Sequence, residues 1–157
     1  MNEKIKIREL EFKDSQQVIE LGKIVHKESY YKFLPYEEMK IQELIMVTIK
    51  NPQSNVCFVA EYDGKIIGAL CGFIVAYVMN YELFAQDLGL WVLPKKRGTW
   101  AAKKLLDTFE YWAKQKGCKE IMLSITSNIN QDRTSQFYEK LGYTNLGAVC
   151  RKRIGGK

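Results

Sequence analysis

Apolar and polar residues alternate at the start of the chain and then recur at the spacing of a helix. Residues Lys4–Leu10 alternate as an edge strand does, and Asp14 or Ser15 is predicted to cap the helix that follows. A second helical pattern is predicted to end at Asn51, because Pro52 disfavours helical backbone in the residue before it. The first third of the chain therefore predicts one strand and two helices.

The middle of the chain carries runs of β-branched and aromatic residues. Val56–Tyr62 and Lys65–Tyr77 are two such runs, and they are joined by Asp63-Gly64, a strong signal for a β-hairpin. A further strand, from about Phe84 to Leu93, is predicted to run antiparallel to the second of them. Together these three segments predict an antiparallel meander.

Helical and strand patterns alternate in the last third of the chain. A helix is predicted over residues 102–113 and stops before Gly117, and Glu120–Ile125 then reads as a strand. A helix over Asp132–Leu141 and a final strand over Thr144–Arg153 complete the order. The order of these elements predicts that all 157 residues form one α/β (α+β) domain. We expect a central mixed, mostly antiparallel sheet of about six to seven strands, flanked by about four helices.

Cysteine and histidine content bears on redox state and metal binding. The four cysteines are Cys57, Cys71, Cys118 and Cys150. They lie far apart and form no C-x-x-C pair, so we expect all four to be reduced core residues. We expect no metal site, because His26 is the single histidine and is interpreted as a packed or surface residue.

Targeting and membrane signals are not evident in the sequence. No signal segment opens the chain, and the longest apolar run, Ile66–Met79, is shorter than the roughly 20 residues that span a bilayer. We therefore expect a soluble, cytoplasmic protein without a membrane partner.

Positive charge clusters where a predicted strand leads through a turn into a helix. The segment V-L-P-K-K-R-G-T-W-A-A-K-K-L-L runs from Val92 to Leu106. The start of a helix leaves about four N–H groups without intrahelical partners and carries partial positive charge, which disfavours nearby cations. A bound phosphate would reverse that cost, so the turn predicts an anion site. Its five cations are Lys95, Lys96, Arg97, Lys103 and Lys104.

Two motifs resemble a known family. The first has the pattern L-x-V-x-P-x-x-R-G and is formed by Leu90, Val92, Pro94, Arg97 and Gly98. The second is F-Y-E-K-L-G-Y, from Phe137 to Tyr143. With these motifs, and with the order of elements over nearly its whole length, the chain resembles the GCN5-related N-acetyltransferase (GNAT) superfamily. These enzymes acetylate primary amines.

The resemblance implies acetyl-CoA (coenzyme A) as co-substrate. In the family, the strand before the turn bonds the pantetheine arm, and Leu90 and Val92 would supply those backbone groups here. One or more of Lys95, Lys96, Lys103 and Lys104 would meet the 3′-phosphate of CoA. The residues predicted to line the pyrophosphate turn are Arg97, Gly98, Thr99, Ala101 and Ala102.

Trp100 departs from the usual family pattern, which places glycine at that position. Glycine lets the backbone approach a phosphate closely, so the tryptophan must point away or the turn must differ locally. Some phage-encoded relatives carry a similar R-G-x-x-A-A turn, and the chain resembles this phage type.

Three residues are candidates for proton transfer. The resemblance implies that Tyr138 protonates the departing CoA thiolate; the alternative is a tyrosine that simply packs on its helix. A primary amine with a pKa near 10.4 is mostly protonated at neutral pH, so a base is expected. Asp87 and Glu82 are the candidate bases, and both have the alternative interpretation of surface charges.

These observations predict an N-acetyltransferase that transfers acetyl directly to a primary amine. The acceptor is left open among small molecules, peptides and proteins, and the net charge of +6 favours an acidic or protein-bound one. The aromatic segment Glu28–Tyr36 is either core cover or the wall that receives the acceptor. The alternative function is a weak or inactive GNAT-fold module that binds nucleic acid or an acidic protein. The oligomeric state is left open between monomer and homodimer.

Overall fold

Five strands pair in chain order to form one sheet in the computed structural model, which describes residues 4–155. The first four strands are antiparallel, and the fifth is parallel to the fourth. The predicted mixed, mostly antiparallel sheet is confirmed, with five strands in place of six to seven. They are β1 (Lys6–Glu9), β2 (Asn55–Tyr62), β3 (Lys65–Ala76), β4 (Leu83–Val92) and β5 (Ile121–Met122).

Four helices cover the two faces of this sheet, as predicted. They are α1 (Ser15–Glu28), α2 (Glu38–Lys50), α3 (Ala101–Gln115) and α4 (Gln131–Lys140). Helices α1 and α2 pack on one face, and α3 and α4 pack on the other. None of the helices in the described residues is long and apolar enough to cross a membrane.

The pleat of β2 divides the core into two clusters. Phe58 and Ala60 face α3, while Cys57 and Val59 face α1 and α2, because successive side chains of a strand point to opposite faces. On α3 the buried apolar residues recur at helical spacing, and Phe109 is completely buried. The sheet therefore has two covered faces, and the ends of its strands are left to build a site.

The start of α1 differs from the predicted cap. Asp14 occupies the N-cap position but makes no side-chain cap bond there. Its buried carboxylate instead accepts two hydrogen bonds from the Arg8 guanidinium, at 2.6 and 2.8 Å, and one from the Glu11 N–H. The hydrogen bonds from Arg8 lower the pKa of Asp14 below its usual value. This ion pair ties β1 to α1.

The predicted strand over Thr144–Arg153 is wrong, because the chain there follows an irregular path. Leu146 and Val149 are exposed, and no strand in residues 4–155 pairs with this segment. The segment is held by Arg151, which donates to the Thr126 carbonyl and lies 4.8 Å from the centre of the Tyr30 ring. The sequence pattern indicated an extended segment but could not supply the neighbouring strand that a ladder needs.

The expectation that all four cysteines are reduced is also wrong. Cys57 and Cys71 form a disulfide between β2 and β3, where the register places the two residues directly opposite each other. Their separation of 14 residues in the sequence gave no sign of this pairing. Cys118 and Cys150 are free thiols.

Candidate active site

Strands β4 and β5 part after only two paired positions. Ala85 lies opposite Ile121 and Gln86 lies opposite Met122, and the ladder ends there. From Leu88 to Val92 the outer edge of β4 has no strand partner within the described residues. The strand register also slips at this point, because Leu88 is an extra, bulged residue between two positions that pair with β3. The parted strands therefore open a gap in the sheet with unpaired backbone on one side.

A large groove, of about 1050 Å³, passes through this gap and is called the central groove below. It is lined by Leu88–Val92 of β4, by the turn that follows β4 and by one side of α4. It continues on the other face of the sheet beneath α1 and α2. Six of the seven predicted cofactor residues line it, and the exception is Ala101, whose side chain is buried in the core. The six are Leu90, Val92, Arg97, Gly98, Thr99 and Ala102.

The basic turn begins with a single 3-10 turn at Pro94–Lys96 and ends at the first residue of α3. Gly98 has a φ of 85°, a conformation that other residues rarely adopt. Trp100 has a φ of −77° and an exposed side chain, so this position of the turn does not require glycine. The departure from the family pattern at Trp100 therefore leaves the backbone of the turn unstrained.

The cations of the turn point in different directions. Lys96 and Lys103 line the central groove, whereas Lys95 and Lys104 do not. Lys104 donates to the Ile5 carbonyl at 2.9 Å, near the start of β1. Of the four lysines predicted to meet a phosphate, Lys96 and Lys103 are the two that line the groove, and Lys103 also pairs with Asp107 at 2.6 Å.

Arg97 ties the turn to the end of α1. Its guanidinium forms a bidentate ion pair with the Glu28 carboxylate, and its Nε donates to the Val92 carbonyl at 3.2 Å. The arginine therefore fixes the path of the turn with its side chain.

Arg133 is a cationic groove residue that the sequence reasoning missed. It lies in the first turn of α4 and is exposed at the groove. Its Nη2 would be 3.8 Å from a Cβ atom built on Gly98, so the guanidinium stands beside the basic turn. The sequence signal for it was weak, because Arg133 and Gly98 are 35 residues apart and meet only through the packing of α4.

Tyr138 forms part of the groove wall on α4 and is 7% exposed. Burial, and secondarily the charge of Asp87, raise the pKa of its hydroxyl above the ordinary value. The phenol therefore holds its proton at neutral pH. Tyr143, the other tyrosine of the second motif, donates its hydroxyl to Glu110 Oε1 at 2.7 Å and anchors the end of α4 to α3.

Asp87 lies at the point where β4 and β5 part and is 3% exposed. Its Oδ1 accepts the Ser124 N–H at 2.8 Å, while Oδ2 is buried without a hydrogen-bond partner. Desolvation raises the pKa of this carboxyl to about 6, although the bond from Ser124 opposes the shift. An orphaned buried oxygen at such a pKa is a candidate proton acceptor.

The structure does not bring Glu82 to this site. Glu82 lies before β4, is exposed and pairs with Lys119 at 3.4 Å, and it does not line the groove. His26, interpreted as a packed or surface residue, does line the groove, with its ring centre 5.3 Å from that of Tyr36.

The aromatic segment Glu28–Tyr36 serves two purposes. Tyr31 and Tyr36 line the central groove. Tyr30 and Phe33 lie outside its lining and contact the guanidinium groups of Arg151 and Arg153 instead.

The residues of the groove fit acetyl-CoA. Positive charge and the unpaired N–H groups of a helix start lie at one end, and Gly98 adopts a conformation that lets the backbone turn toward a phosphate. The edge of β4 offers unpaired backbone groups beside them. No group of three or more His, Cys, Asp or Glu residues in the described chain is placed to hold a metal ion.

Solved structures share this fold. A transcriptional regulator from Bacillus halodurans C-125 has a TM-score of 0.80 at 21% identity, covering 96% of this chain and 99% of that one. Glucosamine-6-phosphate N-acetyltransferase from Arabidopsis thaliana has a TM-score of 0.76 at 21% identity, with the same coverage. AAC(6')-Iy in complex with the bisubstrate analog CoA-S-monomethyl-acetylneamine also has a TM-score of 0.76 at 21% identity, covering 97% and 99%.

The sequence comparison is more specific. The family model described as acetyltransferase (GNAT) family matches residues 18–143, which include both motifs. Curated protein sequences gave no match. The fold and the groove define an N-acetyltransferase. The chain belongs to the GNAT family, whose members use acetyl-CoA.

Proposed function

We propose that this protein transfers the acetyl group of acetyl-CoA directly to the primary amine of a small molecule. The observation that carries the proposal is the parting of β4 and β5. It brings a free strand edge, a cationic turn and Tyr138 to one groove. Each of these features suits a different part of the same co-substrate.

The backbone edge of β4 and the basic turn would hold acetyl-CoA. Leu90 and Val92 offer backbone groups to the pantetheine arm. Val92 offers its N–H, because its carbonyl accepts from Arg97 Nε. The pyrophosphate fits the N–H groups of the first turn of α3. The Thr99 and Ala101 N–H groups make long bonds within the turn, to the Lys96 carbonyl at 3.3 Å and to Thr99 Oγ1 at 3.4 Å, which a phosphate would have to replace. The cations placed to meet the remaining phosphate are Lys96, Lys103 and Arg133.

Tyr138 is the proposed proton donor. When bound, acetyl-CoA supplies an activated acetyl group as a thioester, whose sulfur departs as a thiolate. The Tyr138 hydroxyl retains its proton because burial raises its pKa, and it can give that proton to the sulfur. Its position in the groove wall, with 7% exposure, allows contact with a bound ligand while limiting access of water.

Asp87 is the proposed base for the incoming amine. Asp87 does not itself line the groove, but it adjoins the lining residues Leu88 and Ser124. Its Oδ2 has no hydrogen-bond partner, so this oxygen is free to accept a proton through a water. A pKa of about 6 leaves the carboxylate ionised at neutral pH and basic enough to act. Glu82 is exposed and paired with Lys119, so it lacks the burial that makes Asp87 a candidate.

Two of the solved structures with this fold carry names that mention a small amine. One is glucosamine-6-phosphate N-acetyltransferase, and the other is AAC(6')-Iy in complex with CoA-S-monomethyl-acetylneamine. Both names support a small amine as the acceptor here. The alternative of an inactive binding module rested on an altered turn at Trp100. The structure weakens that argument, because Trp100 fits the turn with a negative φ.

The proposed function is tested by two measurements on the purified protein. Titration calorimetry should show saturable binding of acetyl-CoA below about a millimolar, in the range of ordinary enzyme substrates. Mass spectrometry should then detect an N-acetylated product and free CoA when a mixture of small primary amines is supplied. Absence of acetyl-CoA binding, or binding without transfer to any amine, would contradict the proposal.

A further inference from the structure

The half of the central groove that lies under α1 and α2 is mostly apolar, in contrast to the end formed by the basic turn. We name it the apolar half. Its floor is formed by Cys57, Ala69 and Cys71 of β2 and β3. Its sides are aliphatic residues of the two helices. These are Val18, Leu21, Val25, Ile41, Leu44 and Ile45.

Rings held in fixed positions complete the wall of the apolar half. Tyr36 packs against α1 so closely that a Cβ on Gly22 would lie 2.3 Å from its hydroxyl oxygen, and that hydroxyl donates to the Ile19 carbonyl at 2.8 Å. Trp91 lies over Gly89, whose Cβ would lie 2.2 Å from the indole, and packs against the apolar cluster under α1 and α2. The aromatic surface is therefore formed before any ligand arrives.

Two polar side chains of the apolar half, Ser29 and Thr48, are already hydrogen-bonded within the protein. Ser29 Oγ donates to the His26 carbonyl at 2.9 Å and accepts from the Tyr31 N–H at 3.2 Å. Thr48 Oγ1 donates to the Leu44 carbonyl at 2.9 Å. These two hydroxyls are therefore already engaged and do not offer free partners to the hydroxyls of a sugar, whose burial without partners is costly.

Charge along the groove opposes an acceptor with several ammonium groups. In the described part of the chain, Glu37 is the one carboxylate in the groove lining. Five cationic side chains line the same groove. The five are Lys40, Lys96, Arg97, Lys103 and Arg133. Three of them are ion-paired, Lys40 with Glu43, Arg97 with Glu28 and Lys103 with Asp107, whereas Lys96 and Arg133 form no ion pair within the described residues. Repulsion between these two cations and an ammonium group is strengthened in a partly desolvated cleft.

We propose that the acceptor is a small primary monoamine with an apolar aromatic or aliphatic body. This inference rests on the proposed function. The apolar half holds the body, and the amine faces the acetyl group at the gap between β4 and β5. The amine nitrogen forms a bond to the acetyl carbon, and the carbon–sulfur bond breaks. The sulfur takes the electron pair and a proton, the nitrogen loses one proton, and the products are an N-alkyl acetamide and CoA.

The test compares acceptors at saturating acetyl-CoA. Two apolar monoamines, 2-phenylethylamine and hexylamine, are set against spermidine, sisomicin, glucosamine 6-phosphate and a tripeptide that begins with alanine. We expect kcat/KM for the apolar monoamines to be higher by at least about tenfold, since each buried methylene contributes strongly to discrimination. Equal or faster acetylation of any polar acceptor would overturn the inference, and so would failure of both monoamines.

A binding measurement separates this inference from the proposed function. Calorimetry of 2-phenylethylamine and of sisomicin with the protein alone reports on the apolar half without acetyl transfer. Tighter binding of 2-phenylethylamine supports the inference even if acetyl-CoA does not bind, and tighter binding of sisomicin overturns it. Loss of acetyl-CoA binding by itself would count against the proposed function only.

Two matched variants test whether the preference for apolar monoamines arises in the apolar half. Leu44 lines the groove and Val47 does not, although both are partly exposed on α2. We expect Leu44→Glu to lower kcat/KM for 2-phenylethylamine by roughly tenfold and to shift preference toward spermidine. Val47→Glu should stay within about twofold of the wild type. Should Leu44→Glu unfold, Leu34→Glu in the segment before α2 makes the same change at a half-exposed lining residue. Equal effects of the lining and control variants would contradict the inference.

Discussion

The backbone N–H of Ser124 donates to Asp87 Oδ1 at 2.8 Å, so a buried carboxylate bridges β4 and the segment after β5 where the two strands part. The other oxygen of Asp87 has no partner. One side chain therefore holds the edge of the groove in place and keeps a free acceptor atom beside the residues that line it.

Asp87 is expected to make folding stability depend on pH. Its folded pKa of about 6 is above the ordinary value of 3.8, so the folded state binds the proton more tightly than the unfolded state. The contribution of Asp87 to the free energy of unfolding is fully present below pH 3.8 and decreases as the pH rises toward 6. Above about pH 6 it no longer changes. The loss is up to about 3 kcal/mol, at 1.36 kcal/mol per pKa unit.

Urea denaturation at pH 4.5 and 7.5 measures this change. Asp87→Asn keeps an oxygen for Ser124 but cannot ionise, so the stability difference between the two pH values should shrink relative to wild type. Glu82→Gln is the control, because an exposed pair contributes little. The same pH dependence in wild type and Asp87→Asn would show that the carboxyl does not titrate in this range.

Asp87→Asn should also lower turnover. If the carboxylate accepts the amine proton, kcat at pH 7.5 should fall by roughly 100-fold or more, the usual contribution of a general base. In the wild type, kcat should rise as pH increases through about 6, and this rise should be missing in the variant. Retained turnover in Asp87→Asn would leave the residue a purely structural role.

Tyr138→Phe should slow acetyl transfer without weakening acetyl-CoA binding. Removing the hydroxyl removes the proton donor, and the expected fall in kcat is roughly 100-fold. The affinity for acetyl-CoA, measured by calorimetry, should stay within about twofold because the ring remains.

Tyr143→Phe is the matched control for Tyr138→Phe. It removes the hydrogen bond to Glu110, so we expect a loss of about 1 kcal/mol in unfolding free energy with little change in kcat. Comparable kcat in the two variants would exclude Tyr138 as the donor.

Arg133→Ala should weaken acetyl-CoA binding. A guanidinium beside Gly98 can form charge-assisted bonds to a phosphate, so its loss should raise Kd by roughly tenfold. The difference in Kd between Arg133→Ala and the wild type should decrease at high salt, because salt screens the charge. Lys140→Ala removes a cation from the exposed end of the same helix and should leave Kd unchanged. Equal effects of both variants would indicate only general attraction to the basic surface.

Gly98→Ala tests the conformation of the basic turn. Space is available, since the added Cβ would meet only Arg133 at 3.8 Å, but a φ of 85° costs alanine about 1–2 kcal/mol. We expect a lower melting temperature and weaker acetyl-CoA binding. Gly147→Ala lies in open space without a positive φ and should change neither. A neutral Gly98→Ala would mean that the turn readily adopts another path.

Sequence periodicity predicted the first four strands and the four helices because each has a face that a neighbour buries. It failed at Thr144–Arg153, where the apolar side chains of Leu146 and Val149 remain exposed. Periodicity reports the preference of a segment, whereas a strand also needs a partner. It overestimated β5 for the same reason, because pairing with β4 ends after two residues.

At the candidate site, the sequence predicted those features whose residues are neighbours in one short motif. The turn around Gly98 and the groove position of Tyr138 came from local motifs. Arg133 and the Cys57–Cys71 pair depend on contacts that helix packing and strand register create. The choice between Asp87 and Glu82 depended on burial, which no local pattern specified.

The parted strands leave the sheet incomplete at its edge, and a bound acetyl-CoA would take the place of a neighbouring strand along β4. Binding free energy then adds to folding free energy, by about 2.7 kcal/mol when the ligand is at 100 times its Kd. The protein should therefore melt at a higher temperature as acetyl-CoA rises. Its resistance to unfolding, and hence to proteolysis, would follow the supply of its own co-substrate.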